Sequence, residues 1–303
     1  MRYIDEATVA GALRMEELVP VMRRALIEFS ERRITQPTRR IIEVDAYGGH
    51  FASMAAAGTS AVGAKLVTFY PGNDQHGLHT HMAVIVLFKP ETGEPLVAMD
   101  GRLITEMRTA AVTAAYVQAV APKGAKSLAI LGAGTQGRSH IEALRCVRDL
   151  YDLRIWNRTP EKAAALAQST NGKAMDREAA VRGADVVVVA TSSKEPVLEG
   201  KWLKPGATVA SVGWAGRDVA ELDAAAMANV VLVDSREGAL AESGNIRVWK
   251  PGIHAELGEV LNGSRPVDPG STVVFVSMGM ACEDIAAASL VYEALVAKGE
   301  RMA

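Results

Sequence analysis

The stretch Lys126-Ser-Leu-Ala-Ile-Leu-Gly-Ala-Gly-Thr-Gln-Gly-Arg-Ser-His-Ile-Glu-Ala-Leu144 constrains the fold of this chain more than any other. Its apolar run, residues 128–131, suits a buried strand, and a helical pattern begins at Thr135. Between them stand Gly132, Gly134 and Gly137, spaced G-x-G-x-x-G. Gly132 permits a tight turn, Gly134 lets the backbone approach a pyrophosphate, and Gly137 lets helix and strand pack closely. The helix start adds unpaired N–H groups and the positive end of the helix dipole, both suited to phosphate. Strand, loop and helix together predict a dinucleotide-binding turn, with Gly132, Gly134, Thr135, Gln136 and Gly137 as coenzyme contacts.

The chain after this loop reads as an open parallel sheet. Residues 153–156 form the second strand, and Asn157-Arg158-Thr159 follows, where an NAD-specific site usually carries an acid for the ribose hydroxyls. A carboxylate there would repel a 2′-phosphate, whereas an arginine can hold one, so NADP(H) is favoured, with NAD(H) as the alternative. A helix over 160–168 starts suitably on Pro160. The β-branched run 185–190 predicts a strand buried on both faces, ending in Thr191, Ser192 and Ser193. Further strands over 208–212, 229–233 and 272–276 end in Val212-Gly213, Asp234-Ser235 and Ser277-Met278-Gly279. Ligands of such sheets bind at these carboxyl ends. Asn157, Arg158, Thr159, Thr191, Ser192, Val212, Gly213, Ser277, Met278 and Gly279 complete the expected coenzyme set.

The first 125 residues have a different grammar. A helix is predicted over 15–33, with Leu18, Met22, Leu26 and Phe29 on one stripe. Strands follow over 38–46, 50–56, 63–70, 82–89 and 95–99, joined by short turns that favour antiparallel pairing. Such a sheet needs one face covered, by the N-terminal helix or by a second subunit. Arg39 and Arg40 open a strand. Lys65 shares the apolar side of its strand with Val67 and Phe69, or protects a sheet edge. Arg108 enters a helix over 103–120 that carries no later charge until Lys123. Buried there it needs an anion, either Glu106 or Asp100 of the chain or a bound ligand. His76, His79 and His81 lack a convincing set of accompanying ligands, so no metal is expected.

Composition narrows the partners. The 303 residues carry a net charge of -2 and are 49% hydrophobic, with no sign of a nucleic-acid partner. The apolar runs are too short for a membrane span. Asp5 and Glu6 stand where a signal peptide would be apolar, and Cys146 and Cys282 are the only cysteines. A cytoplasmic protein is expected.

Residues 82–101 and 108–112, the Gly132 loop and Trp156-Asn-Arg-Thr159 resemble the ornithine cyclodeaminase/mu-crystallin family. So do Glu221-Leu-Asp223, Glu256-Leu-Gly-Glu259 and residues 277–284. The resemblance runs nearly end to end. It implies an α/β fold: a Rossmann NAD(P)-binding domain over 113–280, and a discontinuous α+β substrate-binding and dimerisation domain from 1–112 and 281–303. It implies a homodimer joined through the substrate-domain sheets. It carries substrate-carboxylate roles to Arg39, Lys65 and Arg108, with Thr80 close by, and makes Lys65 and Arg108 the catalytic pair. A cationic clamp on an α-carboxylate would position the α-carbon for hydride transfer.

The family includes cyclodeaminases, alanine dehydrogenases and reductases of ketimines and other imino acids. One departure decides among them. Cyclodeaminases carry a catalytic aspartate shortly after the glycine matching Gly213, and the matching position here is Ala215, with Asp218 three residues later. Ammonia elimination needs positioned proton transfer, whereas a protonated imine already attracts hydride. The expected activity is therefore an NAD(P)H-dependent reductase or dehydrogenase acting at the α-carbon of an imino or amino acid, such as a ketimine, iminosuccinate or alanine-type substrate. The adjacent Arg39-Arg40 pair and Arg217 leave room for a second substrate carboxylate, as in iminosuccinate. Ornithine cyclodeamination, or coenzyme-dependent ligand binding without catalysis, are the alternatives.

Overall fold

The computed structural model describes residues 1–58, 60–214 and 216–300. Ala215 lies outside the described residues, as does the end of the last expected segment, 301–303. The chain divides into two compact units: Met1–Arg108 with Met280–Ala303, and Thr109–Gly279.

The first unit opens with β1 (Arg2–Ile4), α1 (Glu6–Ala12) and α2 (Met15–Ser30). Asp5 caps α1 by accepting the Thr8 N–H at 2.9 Å. The stripe Leu18, Met22, Leu26 and Phe29 is buried as its spacing predicts, but α2 stops at Ser30 rather than 33. Arg32 adopts a left-handed backbone, φ +61°, which turns the chain out of the helix. Next come β2 (Arg40–Val44), β3 (Gly49–Ala57), β4 (Val62–Phe69), β5 (His81–Phe88) and β6 (Pro95–Asp100). They form a six-stranded sheet in the order β1-β6-β5-β4-β3-β2, antiparallel except that β1 runs parallel to β6. β4 is an interior strand, so Lys65 protects no edge.

α3 (Arg102–Val120) carries the chain into the second unit. That unit holds, in order, β7 (Ser127–Leu131), α4 (Thr135–Arg145), β8 (Asp152–Trp156), α5 (Pro160–Thr170), β9 (Lys173–Ala174), α6 (Arg177–Val181), β10 (Val186–Val189) and β11 (Thr208–Ser211). Then follow α7 (Ala224–Met227), β12 (Val230–Val233), α8 (Arg236–Glu242), α9 (Gly244–Trp249), β13 (Ile253–Glu256), α10 (Leu257–Leu261) and β14 (Val273–Val276). Its eight strands are parallel, in the order β13-β12-β14-β11-β10-β7-β8-β9. The direction of strand succession reverses between β7 and β10, the position where a doubly wound sheet opens its binding crevice. Val186 to Val189 are wholly buried, as a strand covered on both faces must be. Inside this unit Tyr116 packs its ring 5.1 Å from that of Phe275 and donates its hydroxyl to the Val273 carbonyl.

α11 (Ala281–Ala297) closes the chain and belongs to the first unit. It covers β3, β4 and β5, while α2 packs on α11. The cover for the sheet thus comes chiefly from the C-terminal helix, not from the N-terminal one. No described helix is long and apolar enough to cross a membrane.

Candidate active site

The second unit builds a cradle at the reversal between β7 and β10. Gly132 has φ +118°, and a Cβ there would stand 2.3 Å from the Ala190 carbonyl oxygen. A Cβ on Gly137 would stand 2.1 Å from the Gly132 carbonyl oxygen. Both positions therefore exclude any side chain, and they draw β7, β10 and α4 together. Gly134, the residue before α4, is different: a Cβ there would meet nothing within 4 Å. Its surface is open toward the free N–H groups of the helix start, which fits a pyrophosphate.

Asn157 braces this loop. Its Oδ1 accepts the Ala133 N–H at 3.0 Å, and its Nδ2 donates to the Thr159 carbonyl at 3.0 Å. Arg158 between them is exposed and forms no ion pair among the described residues. On the other side of the loop, Asp234 at the end of β12 accepts the N–H groups of Met278 and Gly279 at 2.6 and 2.7 Å, and the Ser277 hydroxyl at 3.3 Å. Thr191 and Gly213 both hydrogen-bond to one buried carboxylate, Glu221, whose only signal in the sequence is the family motif Glu221-Leu-Asp223. Ser192 is exposed and Val212 half-buried at the same strand ends.

The loop helix is itself anchored by a buried histidine. His140 Nδ1 lies 2.8 Å from the Gln136 carbonyl and must donate to it, so Nε2 is the acceptor for the Thr113 hydroxyl at 3.0 Å. Burial pushes His140 down to about 4, and its neutral form is the one that fits both partners.

The first unit carries the cations. Lys65 on β4 and Arg108 on α3 are 2% and 5% exposed. Asp284 on α11 receives both: Lys65 Nζ lies 2.6 Å from one carboxylate oxygen and Arg108 Nε 2.9 Å from the other. Glu283 accepts Arg108 Nη1 at 2.6 Å. Burial, followed by the repulsion of Arg108 and Arg39, pushes Lys65 down to about 8, against the pull of Asp284. Arg39 is half-buried and close enough to act on Lys65. The structure thus gathers Lys65 and Arg108 around one carboxylate, with Arg39 nearby. The Thr80 hydroxyl lies 3.3 Å from His81 Nδ1, and the charge of Lys65 acts on His81 in turn.

The near-sequence partners considered for Arg108 are engaged elsewhere. Glu106 pairs with Arg102 at 2.9 Å, and Asp100 accepts the Arg102 N–H. Glu283 and Asp284 lie some 175 residues further along, so only the fold could reveal them. Asp218 is paired with Arg247 at 3.1 Å, its side chain 78% exposed. The remaining motif carboxylates are structural: Glu259 accepts the Glu256 N–H at the start of α10, and Asp223 accepts the Ala226 N–H at the start of α7. Among the described residues, no group of three or more His, Cys, Asp or Glu side chains is gathered as for a metal ion.

The family described as ornithine cyclodeaminase/mu-crystallin matches residues 3–299. The ketimine reductase mu-crystallin of Rattus norvegicus is 42% identical over 301 residues, covering 96% of each chain. The Delta(1)-pyrroline-2-carboxylate reductase of Thermococcus litoralis, solved with NADH and L-proline, aligns with a TM-score of 0.94 at 33% identity, over 99% of this chain and 98% of that one. An archaeal alanine dehydrogenase dimer with bound NAD aligns with a TM-score of 0.92 at 27% identity, over 98% and 97%.

The anchor of the loop helix has a pH signature. The imidazole of unfolded His140 titrates near 6.5, while in the fold it stays neutral to about 4. Its stabilisation is complete above pH 6.5 and is lost as the pH falls toward 4, a change of about 3 kcal/mol. The stability difference between wild type and His140→Gln, from urea unfolding at a series of pH values, should therefore shrink steadily between pH 6.5 and 4. A difference independent of pH would show that His140 is not held neutral.

Proposed function

The chain belongs to the ornithine cyclodeaminase/mu-crystallin family, and we propose that it is an NAD(P)H-dependent reductase or dehydrogenase acting at the α-carbon of an imino or amino acid. The observation that carries this reading is the buried pair Lys65 and Arg108, held on opposite oxygens of Asp284. Two cations are costly to bury, and fixing them side by side creates a clamp for a planar anion. An α-carboxylate gripped there has its α-carbon oriented before reaction, which removes much of the entropic cost of hydride transfer. Lys65, although pushed down to about 8, remains mostly protonated at neutral pH and keeps its positive charge for this task. Arg39 adds positive potential beside it. The nicotinamide, when bound, supplies or accepts the hydride. The relatives that reduce ketimines and pyrroline carboxylate support the same reaction class.

Glycine 134 and the start of α4 hold the pyrophosphate in this reading, and the ends of β8, β10, β11 and β14 flank the two halves of the coenzyme. NADP(H) is the preferred form. Asn157-Arg158-Thr159 has no acid to repel a 2′-phosphate, and exposed Arg158 offers a planar donor set for it.

The protein is a homodimer through the outer face of the six-stranded sheet. On that face Ile42, Phe51, Thr68 and Met82 stand in cross-strand register, and Ile42, Leu66 and Met82 are exposed. A largely apolar row across four strands, with Leu66 beside it on β4, is the kind of surface a second copy covers. The archaeal relative solved as a dimer agrees. Both cysteines are free, and a reducing cytoplasm is the setting we assign.

Four measurements test these points. Oxidation of NADPH or NADH should follow addition of a cyclic ketimine, iminosuccinate, or pyruvate with ammonia; no turnover with any of them, or ammonia release from ornithine without net coenzyme turnover, would overturn the reaction assignment. In the active assay, Arg108→Lys should raise KM for the imino acid about tenfold or more while leaving coenzyme affinity unchanged, because lysine cannot reproduce the two-armed contact. Arg158→Ala should raise KM for NADPH about tenfold and leave NADH within about twofold; equal effects on both would instead mean that Arg158 serves the adenine. Light scattering should give twice the 32.1 kDa chain mass, and Leu66→Glu should lower it toward one; a monomeric wild type removes the dimer.

A further inference from the structure

One buried carboxylate of the second unit has no place in the chemistry above. Glu221 is 5% exposed and has no salt-bridge partner among the described residues. Instead it accepts from four donors. Its Oε2 takes the Thr191 hydroxyl at 3.0 Å and the Thr191 N–H at 3.4 Å. Its Oε1 takes the Ser211 hydroxyl at 2.6 Å and the Gly213 N–H at 3.0 Å. Asn245 completes the knot by accepting the Glu221 N–H at 3.1 Å and donating to Ser211 Oγ at 2.8 Å.

These donors occupy a particular place. A dinucleotide whose pyrophosphate rests on Gly134 extends both ways along the sheet edge. Beyond β7 in one direction lies β8 with Asn157-Arg158-Thr159; in the other lie β10, β11 and β14 in succession. The adenosine half lies toward β8. The nicotinamide half therefore lies toward the residues that follow β10 and β11, namely Thr191 and Gly213. A cavity opens there, lined by Thr191, Gly213, Trp214, Glu221, Asn245 and Met278 among others. Gly213 is compressed against its wall: a Cβ would stand 2.1 Å from the Thr191 carbonyl oxygen and 2.3 Å from Glu221 Oε2.

We propose that Glu221 is a positioning residue for the nicotinamide half of the coenzyme, its carboxylate tying the ends of β10 and β11 into one fixed wall. The inference rests on the coenzyme reading above. A carboxylate suits the task because it is all acceptor, and one group satisfies two backbone N–H donors and two hydroxyls converging from separate strands. Its burial without a cation is unfavourable: desolvation raises it to about 7 even though every hydrogen bond pulls the other way. An apolar side chain here would leave those converging donors unpaired, so the carboxylate, despite the cost of burying it, is what holds the two strand ends at a fixed spacing. Thr191 turns both its hydroxyl and its N–H to Glu221, so the conformation of the loop after β10 is set from beneath. The adenosine half makes no use of this wall.

That asymmetry supplies the test. Calorimetric titration of wild type and Glu221→Gln should be run with the whole coenzyme, NADPH or NADH, and with the matching ADP-ribose, with or without its 2′-phosphate, which lacks the nicotinamide. Glutamine keeps the shape but replaces one acceptor oxygen with a donor, leaving either Thr191 or Gly213 opposed. Affinity for the whole coenzyme should fall about tenfold, while that for the ADP-ribose changes by less than about twofold. Ser211→Ala, a smaller change that removes one donor, should weaken the coenzyme alone by about threefold, and it decides the matter if Glu221→Gln does not fold. Equal losses on both probes would reduce Glu221 to a strut of the fold, and no loss on either would deny it any role. A wild-type protein that binds neither probe would overturn the coenzyme reading itself, and this inference with it.

Discussion

The carboxylate of Asp284 ties three elements of the first unit together through two buried cations. It joins α11 to β4 through Lys65 and to α3 through Arg108, three elements drawn from the end, the middle and the first third of the chain. Neither cation could occupy so dry a site alone, because the desolvation of an unpaired ammonium or guanidinium far exceeds what packing returns. Asp284 in turn has no exposure to solvent and depends on both. The last helix is thus fixed over the sheet by charge as well as by its apolar face. The same contact that completes the fold also fixes the spacing of two cations.

The second unit solves its ligand problem by the opposite means. Its cradle contains few charges. The close contacts at Gly132 and Gly137 press the strand ends and the loop helix together, and the one open glycine, Gly134, lies at the helix start. Buried acceptors then fix the surrounding loops: Asn157 for the loop itself, Asp234 for the turn after β14, and Glu221 for the ends of β10 and β11. Backbone N–H groups are the common currency of all three. Loops braced in this way hold their shape before a ligand arrives, so less ordering entropy is lost on binding.

Much of this was legible in the amino-acid order because it is local. The strand, three glycines and helix around residue 132 are read from neighbours, and so is the apolar stripe Leu18, Met22, Leu26, Phe29. Val186 to Val189 announces a doubly covered strand by composition alone. What stayed hidden depends on contacts between distant residues. Glu106 and Asp100 are the acids nearest Arg108 in sequence, but Arg102 takes both, and the partners of Arg108 sit on α11. Glu221 stands in the sequence only within a family motif, and the fold alone places it beneath two strand ends. The short strands β1, β9 and β13 also escaped, because two to four residues are too few to show an alternation. Of the three, β1 also pairs with a strand remote in sequence, β6.

The same geometry bears on the choice between imine reduction and ammonia elimination. Elimination with ring closure requires a carboxylate free to carry a proton to and from the substrate. The chain has alanine at position 215, and Asp218, the next acid, projects into solvent and is held by Arg247. Glu221 is engaged by four donors, so its lone pairs are committed to the protein. Asp284 and Glu283 are committed to Lys65 and Arg108. Each of these acids is either committed to a protein partner or turned out to solvent. Hydride transfer to an imine that arrives already protonated makes no such demand, since its positive charge is carried by the substrate. What a protein must then supply is a grip on the carboxylate and a fixed nicotinamide, the two tasks proposed above for the buried cations and the braced loops.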